Sequence, residues 1–454
     1  MRKKQFFNAS IVDELAHLME KPHNTSLTQG WTFTLEGEVD SGAIREALDA
    51  CLALYPKLKC TMTREYPSLK RAFRYCWAYR EDVTSTEIFR EIEDLNPDQA
   101  GRDILSCYTD CHASHYIDIT RQPPIKVLLM RQAGGRSNLF FFVHHAGVDG
   151  IGFLIFFQSF IRFYEDCVYG RKKESGGIPD FEGISKPHIP FQWKHFMPQR
   201  IYLRSKYGIL KDTARVAWQN GGNEESSMQR LLAIARELSP EQFKALRASA
   251  KAQQVTINDY LLTSMFQTVK KWNGQHHEPP GRIYLDIPVN LRSPDDHTIG
   301  NIMGGFRIFL HPAAIGTREE TLQKVKEKRS LMMEHDIAKI TAEVAWTLRP
   351  MPLWFKSLLY RRFPEIYCPT LTMSNIGICN PNSSHQDADG FQYLGAARIR
   401  SICFIGYAAP WPQLIALTYN NRMTISLSVF RSRFSPEAAG QFLDSFIAEI
   451  NRQA

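Results

Sequence analysis

The sequence predicts an α/β protein built from two α/β halves, and three observations support this class. A chain of 454 residues with 44% hydrophobic and 22% charged residues has the composition of a globular protein with ample material for a core. Short apolar runs alternate with longer segments of helical spacing throughout the chain. A stretch rich in glycine, proline and polar residues separates the two halves. We therefore expect a first subdomain over residues 1–175, a connecting region over 176–230 and a second subdomain over 231–454.

The sequence of the first half predicts four strands and two helices. Short runs rich in aromatic or β-branched residues predict strands at residues 31–35, 58–62, 125–130 and 139–143. Gly134-Gly135 separates the last two strands, so we expect them to pair antiparallel across a tight turn. Apolar residues at helical spacing predict a helix that starts at Asp40-Ser41 and a core helix at about residues 152–164.

Helix starts in the second half have clear capping signals. Ser239 and Ser435 are each followed by proline and glutamate, which is typical of a serine N-cap with proline at the first helical position. Thr256 opens a further helix that we expect to end near residue 271. Apolar runs predict strands at residues 283–289, 415–419 and 423–429. No shorter repeat and no low-complexity tract is visible in the sequence.

The most informative stretch is His144 to Gly150, HHAGVDG, which lies between a predicted buried strand and a predicted core helix. A loop anchored on both sides can hold a histidine nitrogen within hydrogen-bonding reach of a substrate proton, as a general base requires. Asp149 needs a partner there, because an unpaired half-buried carboxylate is costly. A single histidine in such a place is more often an ordinary core or surface residue. Two histidines, an aspartate and a glycine at this spacing favour a proton-transfer site.

Cysteine usage and hydropathy suggest a cytoplasmic protein. Nine cysteines with no CxxC pair predict free thiols in a reducing compartment. We expect no secretory leader, and the most apolar long stretch, residues 402–419, predicts two strands around a loop rather than a membrane span. Four residues resemble a metal site but lack the paired spacing of a zinc motif, so we expect no metal there: Cys107, Cys111, His112 and His115.

The net charge of +8 favours an anionic partner. Nucleic acid is not expected, because no array of arginines and aromatic residues accompanies the charge. The phosphates of coenzyme A or the acidic face of a carrier protein would be suitable anionic partners.

The motif resembles the HHxxxDG signature of the chloramphenicol-acetyltransferase-like superfamily. This superfamily includes condensation domains of non-ribosomal peptide synthetases, polyketide-associated acyltransferases, wax-ester synthases and acyltransferases of plants and fungi that use coenzyme A. The match is complete at His144, His145, Asp149 and Gly150. Further matching segments lie at residues 37–40, 256–261, 288–292, 300–301 and 372–377. The resemblance covers nearly the whole chain and implies a pseudo-dimer of two such subdomains with an active-site tunnel between them.

The resemblance implies that His145 is a general base. It would deprotonate a hydroxyl or amine as that nucleophile attacks an acyl thioester, without a covalent acyl-enzyme. Adjacent side chains on an extended segment point apart, so we expect His144 to support His145 rather than share its task. Asp149 and Gly150 are expected to be structural. By resemblance, Asp149 pairs with Arg292 and ties the loop to the second half.

The resemblance also implies polar contacts from the second half. Ser374 and Thr372 are candidates to hydrogen-bond the oxyanion or the pantetheine arm of the donor. The alternative is a strand-ending turn, because Ser374-Asn375-Ile376-Gly377 also has turn chemistry. Asn375 and Asn301 are weaker candidates for substrate contact, and Asn301 has the alternative of only shaping its loop.

Three departures narrow the expected subfamily. The DFGWG motif of plant-type acyltransferases is absent, and the wax-ester-synthase form of the 372–377 segment is not reproduced. We expect no attached adenylation or carrier domain, and on that expectation the chain resembles a free-standing condensation domain or polyketide-associated acyltransferase. We expect a monomer of specialised metabolism with no permanently bound cofactor. Its donor would be acyl-coenzyme A or a phosphopantetheinyl carrier protein, and its acceptor a small molecule.

Two other functions stay open on sequence. The same scaffold supports epimerisation or cyclisation of a carrier-bound group, and a condensation-like fold can also serve as a non-catalytic module that binds carrier proteins. Loss of the second histidine or of the glycine is expected in such a module, whereas this chain keeps both His145 and Gly150.

Overall fold

The computed structural model describes residues 5–65, 72–93, 115–171, 178–186, 212–218, 230–362 and 368–452, with the single positions 192, 194 and 197. The strands of this part of the chain form two six-stranded sheets, one in each half, and one three-stranded sheet.

The sheet of the first half has the order β12–β13–β2–β7–β6–β5. Its strands are β2 (Thr28–Glu36), β5 (Phe89–Glu93), β6 (Ile125–Gln132), β7 (Arg136–His144), β12 (Tyr393–Leu394) and β13 (Ala397–Ile405). Neighbours are antiparallel except β5 and β6. The hairpin expected between the last two predicted strands of this half is present as β6 and β7, and Gly134 and Gly135 at its turn both have positive φ.

Two helices cover one face of this sheet, α2 (Ser41–Leu54) and α4 (Gly150–Val168). The aromatic run of β7 is buried on both faces. Leu139 and Phe141 pack under these helices, whereas Phe140 and Phe142 pack against Leu231 of the second half. The continuous apolar run that predicted this strand therefore reflects a sheet covered on both sides.

The sheet of the second half has the order β10–β9–β11–β14–β15–β8. Its strands are β8 (Leu231–Leu238), β9 (Ile283–Asn290), β10 (Met303–Leu310), β11 (Leu371–Ile378), β14 (Gln413–Tyr419) and β15 (Arg422–Phe430). The parallel pairs are β9 with β11 and β11 with β14.

Helices pack on one face of this second sheet and enclose a separate core. They are α5 (Pro240–Ala252), α6 (Ile257–Gln275), α7 (Arg318–Glu334), α8 (Ile337–Thr347) and α10 (Pro436–Asn451). The caps predicted at Ser239 and Ser435 are confirmed, because each serine accepts a backbone N–H three residues on. Thr256, where a helix start was predicted, caps its helix in the same way. The helix after Thr256 continues to Gln275, four residues beyond its expected end.

The small sheet lies beside the first half in the order β1–β4–β3. Its strands are β1 (Gln5–Asn8), β3 (Cys60–Thr63) and β4 (Cys76–Tyr79), and the remaining helices are α1 (Ile11–His23), α3 (Ser85–Ile88) and α9 (Leu353–Arg362). The strand predicted at 58–62 begins only at Cys60. Residues Pro56–Lys59 form a 3-10 turn instead, because the proline ring fixes a φ that suits a helical first position.

Two strands of the second half, β12 and β13, belong to the sheet of the first. β13 pairs with β2 from Arg398 to Ile405, and Phe404 of β13 stacks on Trp31 at 4.3 Å between ring centroids. Phe153 of α4 covers the other face of Trp31 at 4.5 Å. The two halves are therefore joined by aromatic packing in addition to the connecting region. The boundaries expected at residues 175 and 230 stay predictions, and most of the region between them lies outside the described residues.

The expectations on cysteines, a metal site and a membrane span can be compared with the described residues only. Seven cysteines in it are free thiols. Cys107, Cys111 and His112 lie outside the described residues, while the ring of His115 stacks on Phe142 at 4.8 Å. Within the described segments, no group of side chains has the arrangement of a metal site. None of the helices described here combines the length and apolar character needed to cross a membrane.

Candidate active site

The HHAGVDG segment joins the end of β7 to the start of α4. Its turn is closed by the backbone N–H groups of Gly147 and Val148, which donate to the carbonyl of His144 at 2.8 and 3.2 Å. A Cβ on Gly147 would lie 2.4 Å from the Pro124 ring, so only glycine fits this turn without displacement. The motif is therefore the strand-to-helix loop that the sequence predicts.

His144 is fully buried, and both of its ring nitrogens have partners. Nδ1 accepts the backbone N–H of Ala146 at 3.1 Å, so the ring proton resides on Nε2 in the neutral tautomer. Nε2 then donates to Oε1 of Glu20 at 2.8 Å. With both nitrogens engaged, His144 has no free position for a substrate proton.

Glu20 of α1 holds three parts of the chain together. In addition to His144, it accepts the backbone N–H of Leu27 at 2.9 Å and lies 3.0 Å from Nδ1 of His17. Burial opposes ionisation of this carboxyl, but the two histidines outweigh it and lower the pKa of Glu20 to about 2. A carboxylate in an amphipathic helix far from the motif gives no sequence signal of this role, so Glu20 was not among the predicted site residues.

His145 is half-buried, and its ring lies on a cavity between the two halves. Its backbone N–H donates to the carbonyl of Leu27 at 2.9 Å, which fixes the main chain. Nδ1 is enclosed and has no hydrogen-bond partner among the described residues, so Nε2 is the nitrogen available to a ligand. Burial lowers the pKa of His145 below its ordinary value of 6.5, although the charge of Asp149 opposes that shift. The ring is therefore neutral at pH 7, as a base must be.

Asp149 and Arg292 form the expected ion pair across the two halves. Nη1 of Arg292 donates to Oδ2 of Asp149 at 3.0 Å, and the two side chains are 3% and 6% exposed. Asp149 also caps α4 through Gly152 N at 2.7 Å and accepts Ile302 N at 3.0 Å. Nε of Arg292 donates to Thr298 O at 2.9 Å. Because the charges are paired and hydrogen-bonded, the buried carboxylate is a strut between the loop and the second half.

Asn301 lies behind the loop rather than in the cavity. Its completely buried amide Nδ2 contacts the carbonyls of His145 at 2.6 Å and Ala146 at 3.1 Å. The same nitrogen donates to Oδ1 of Asp13 at 2.9 Å, and Asp13 is paired with the buried Lys57 at 2.9 Å. Of the two alternatives for Asn301, these contacts favour shaping the loop.

Gly150 makes room for the cavity at the start of α4. A Cβ there would lie 2.9 Å from the tip of Ile376 and 3.3 Å from the ring of Phe404. Both of those side chains line the cavity together with Gly150. Any larger residue at position 150 would push one of these apolar walls into the open space.

The segment 372–377 forms most of β11. It combines the two alternatives given by the sequence, polar side chains at the cavity and a turn near the end of the strand. Thr372 and Ser374 lie on the cavity side of the strand, and the Thr372 hydroxyl accepts the indole N–H of Trp411 at 2.8 Å. Asn375 turns the chain, because its Oδ1 accepts Gly377 N at 3.0 Å and Gly377 has a φ of 87°. The hydroxyl of Ser374 makes no hydrogen bond within the described residues and faces the open space.

The cavity has a volume of about 340 Å³ and takes its lining from both halves. It brings together seven of the predicted site residues: His145, Asp149, Gly150, Arg292, Thr372, Ser374 and Asn375. His144 and Asn301 do not line it.

Several polar or aromatic residues of the lining were not predicted from the sequence, among them Asp286, Arg307, Tyr407, Trp411 and Gln413. The ring centroid of Tyr407 lies 5.5 Å from that of His145. Burial raises the pKa of Tyr407 to about 12, so its hydroxyl stays protonated. A charged residue inside an apolar strand, as at Asp286, is the one signal from which sequence reasoning had a chance to find this set.

Comparison with known proteins gives the family and the fold. Residues 15–279, more than half of the chain, match the family model of the condensation domain. Among curated proteins, an uncharacterised protein of Mycobacterium tuberculosis strain H37Rv, Rv2305, is 25% identical over 187 residues, which is 38% of this chain. The aligned part is 39% of that protein, so the chain spans less than half of the length of this relative.

Solved structures resemble the whole chain at low sequence identity. The TRI3 trichothecene 15-O-acetyltransferase of Fusarium sporotrichioides has a TM-score of 0.73 at 11% identity, covering 99% of this chain and 95% of its own. The first condensation domain of the CDA synthetase has 0.65 at 12%, covering 100% and 97%. Polyketide synthase associated protein 5 of Mycobacterium tuberculosis has 0.64 at 14%, covering 97% and 98%. The expected chloramphenicol-acetyltransferase-like fold is confirmed.

Proposed function

The chain belongs to the condensation-domain family, and from this premise we propose that it transfers an acyl group from a thioester to a hydroxyl or amine acceptor. One observation carries the proposal. Of the two adjacent histidines, His144 is closed off by Glu20 and a backbone N–H, while His145 is neutral and borders a cavity lined by both halves. A neutral imidazole at a cavity of this size is placed to take a proton from a bound nucleophile.

In the proposed reaction the acceptor O–H or N–H donates to Nε2 of His145. As the nucleophile attacks the thioester carbonyl, its proton passes to Nε2 and the carbonyl oxygen becomes an oxyanion. Collapse of this intermediate breaks the carbon–sulfur bond, and the leaving thiolate takes the proton back from His145. No covalent acyl-enzyme forms. A thioester is already activated, so orientation of two bound substrates and one positioned base supply most of the rate gain.

Two neighbours of His145 support this cycle. Burial keeps the resting imidazole neutral, while the charge of Asp149 favours the imidazolium that exists between the two proton transfers. The Ser374 hydroxyl on the opposite wall is the donor that we assign to the oxyanion.

The donor in this proposal is acyl-coenzyme A or an acyl group on the phosphopantetheine of an acidic carrier protein. Both are anionic thioesters, in keeping with the net charge of +8. The acceptor is a small molecule, and the reaction needs no permanently bound cofactor. We also propose that the protein acts in specialised metabolism, in the cytoplasm.

An intact-mass assay with the full chain tests the reaction class. Donors from acetyl- to palmitoyl-coenzyme A, and the same acyl groups on a carrier protein, are offered with pooled alcohols and amines. We expect an acceptor that gains the mass of the acyl group and an equal amount of free thiol.

An epimerisation domain and a cyclisation domain share this fold, so the assay has to separate their reactions. Deuterium uptake by a carrier-bound aminoacyl group without thiol release would replace the proposal by epimerisation. Loss of water from the bound group would replace it by cyclisation. Carrier-protein binding without any change in mass would point to the non-catalytic module.

A further inference from the structure

The second half presents a polar sheet face to the cavity. Along β9, Leu285 and Ile287 point into the core, whereas Asp286 and Pro288 line the cavity. The alternation of strand side chains places the charged residue on the same face as the cavity. An apolar face would suffice if this surface only packed against the first half.

Asp286 is held by a cross-strand arginine. It lies directly opposite Arg307 of β10, and Nε of Arg307 donates to Oδ1 at 2.8 Å. The side chain of Asp286 is 35% exposed and that of Arg307 14% exposed, so the carboxylate is the more open member. No hydrogen bond to its second oxygen, Oδ2, is found within the described segments. The pair therefore presents an oriented hydrogen-bond acceptor to the cavity.

The carboxylate, the candidate base and Tyr407 line the same cavity. Burial raises the pKa of Tyr407 first, and the negative charge of Asp286 raises it further. The ring of the same tyrosine lies 5.5 Å from that of His145. Tyr407 is thus a common neighbour of the carboxylate and the base.

We propose that Asp286 is a specificity-determining residue that binds a second hydrogen-bond donor, a hydroxyl or an ammonium group, on the acceptor whose nucleophile reacts at His145. This inference rests on the proposed acyl transfer and names the acceptor class: a molecule with two donor groups, one acylated and one recognised. A plain acyl chain has no donor for a carboxylate, and the coenzyme A phosphates are anionic. The pantetheine arm does carry amide N–H donors, and binding of that arm by Asp286 would act on the KM of the thioester donor rather than on the choice between acceptors.

Matched acceptors test this assignment. Linear alcohols from ethyl to octyl are compared with the terminal diols and amino alcohols of the same length, using an acyl-coenzyme A donor and the full chain. A hydrogen bond to a charged group corresponds to about a 10- to 100-fold gain in kcat/KM for the best-fitting diol or amino alcohol over its monoalcohol. We expect Asp286→Ala to reduce that ratio to near one.

Two further variants separate recognition from folding. Asp286→Asn keeps an oxygen for Arg307 and for a ligand hydroxyl but removes the charge, so a preference for ammonium should be lost and a preference for hydroxyl partly kept. Glu237→Ala is the matched control, because Glu237 pairs with Arg422 at 2.7 Å on neighbouring strands of the same sheet and does not line the cavity. We expect this control to keep the wild-type ratio.

Binding is measured separately from turnover, as the rise in melting temperature that each acceptor causes in His145→Ala. A rise that depends on Asp286, without turnover by the wild type, would overturn the proposed function and leave the recognition site standing. Three results would overturn the site itself: a wild-type ratio near one with no Asp286-dependent rise, a ratio unchanged in both Asp286 variants, or an effect confined to the KM of the donor.

Discussion

The two walls of the cavity are built on different principles. The loop wall, from His144 to Gly150, is fixed by buried contacts: His144 to Glu20, Asp149 to Arg292, and Asn301 to two carbonyls of the loop. The sheet wall consists of β9, β10, β11 and β14, whose polar side chains point into open space.

The difference lies in how much hydrogen-bonding capacity each wall has left. Both carboxylate oxygens of Asp149 and both ring nitrogens of His144 have protein partners. On the sheet wall, Ser374 and the second oxygen of Asp286 have none within the described residues. Apart from the ring of His145, whose Nδ1 has no partner among the described residues, the loop wall is saturated and holds its geometry before any ligand arrives, whereas the sheet wall has groups to offer a ligand. We infer that the first wall positions chemistry and the second selects substrates.

The largest effect is expected for His145→Ala, which tests whether the loop wall positions the chemistry. Loss of a general base typically costs 10²- to 10⁴-fold in rate, so we expect kcat/KM for acyl transfer to fall by about that factor. His145 is the ring that the loop wall exposes, so the melting temperature should stay close to that of the wild type. Kinetics with acyl-coenzyme A and a thermal unfolding scan measure the two effects. Full turnover by the variant would refute the base assignment.

Arg292→Ala removes the ion pair with Asp149 that ties the loop wall to the second half. It leaves Asp149 buried without its countercharge, and such a break typically costs about 3–5 kcal/mol of the free energy of unfolding. Chemical denaturation measures the loss. Arg236→Ala is the matched control, because Arg236 pairs with Asp444 at a similar 2.7 Å on the surface, where a pair is worth about 1 kcal/mol or less. Equal losses in the two variants would contradict a structural role for the Asp149 pair.

His144→Ala separates the two adjacent histidines. Removing the ring leaves the Glu20 carboxylate and the Ala146 N–H each short of one buried partner. An unsatisfied buried group costs about 1–3 kcal/mol, so we expect stability to fall by about that amount. The His145→Ala variant should show the opposite pattern, with rate lost and stability kept. If His144→Ala lowered kcat as much as His145→Ala without changing stability, the supporting role would be wrong.

The sequence predicted the loop wall better than the sheet wall, and the reason is physical. The motif, its flanking strand and its flanking helix are local in the chain, and so are the caps at Ser239 and Thr256. Local patterns report on short-range backbone interactions, which a single sequence displays directly. The pairing of Asp149 with Arg292 is not local, and it came from resemblance to a family rather than from spacing.

What the sequence did not predict depends on strand pairing over long distances. Asp286 and Arg307 meet because β9 and β10 pair antiparallel in one register, and Tyr407 lies two residues after β13, which pairs with β2 of the first half. A shift of one residue in the β9–β10 register would take Asp286 out of line with Arg307. Glu20 lies in an ordinary amphipathic helix, where neither its partners nor its burial can be seen from sequence.

The smallest expected effect is a shift in the pH dependence of kcat/KM, which tests the electrostatics of the loop wall. His145 acts as a base only when unprotonated, and burial lowers its pKa below the ordinary 6.5. The acid limb of kcat/KM should therefore lie below pH 6.5, and at that pH the wild type should retain more than about half of its plateau rate. Glu20, with a pKa of about 2, and Tyr407, with a pKa of about 12, keep their charge states over this range. Asp149→Asn removes the charge that opposes the shift, so its limb should move further to the acid side. A limb at or above pH 6.5 in the wild type would mean that the ring is solvated rather than enclosed, and would remove the electrostatic distinction between the two walls.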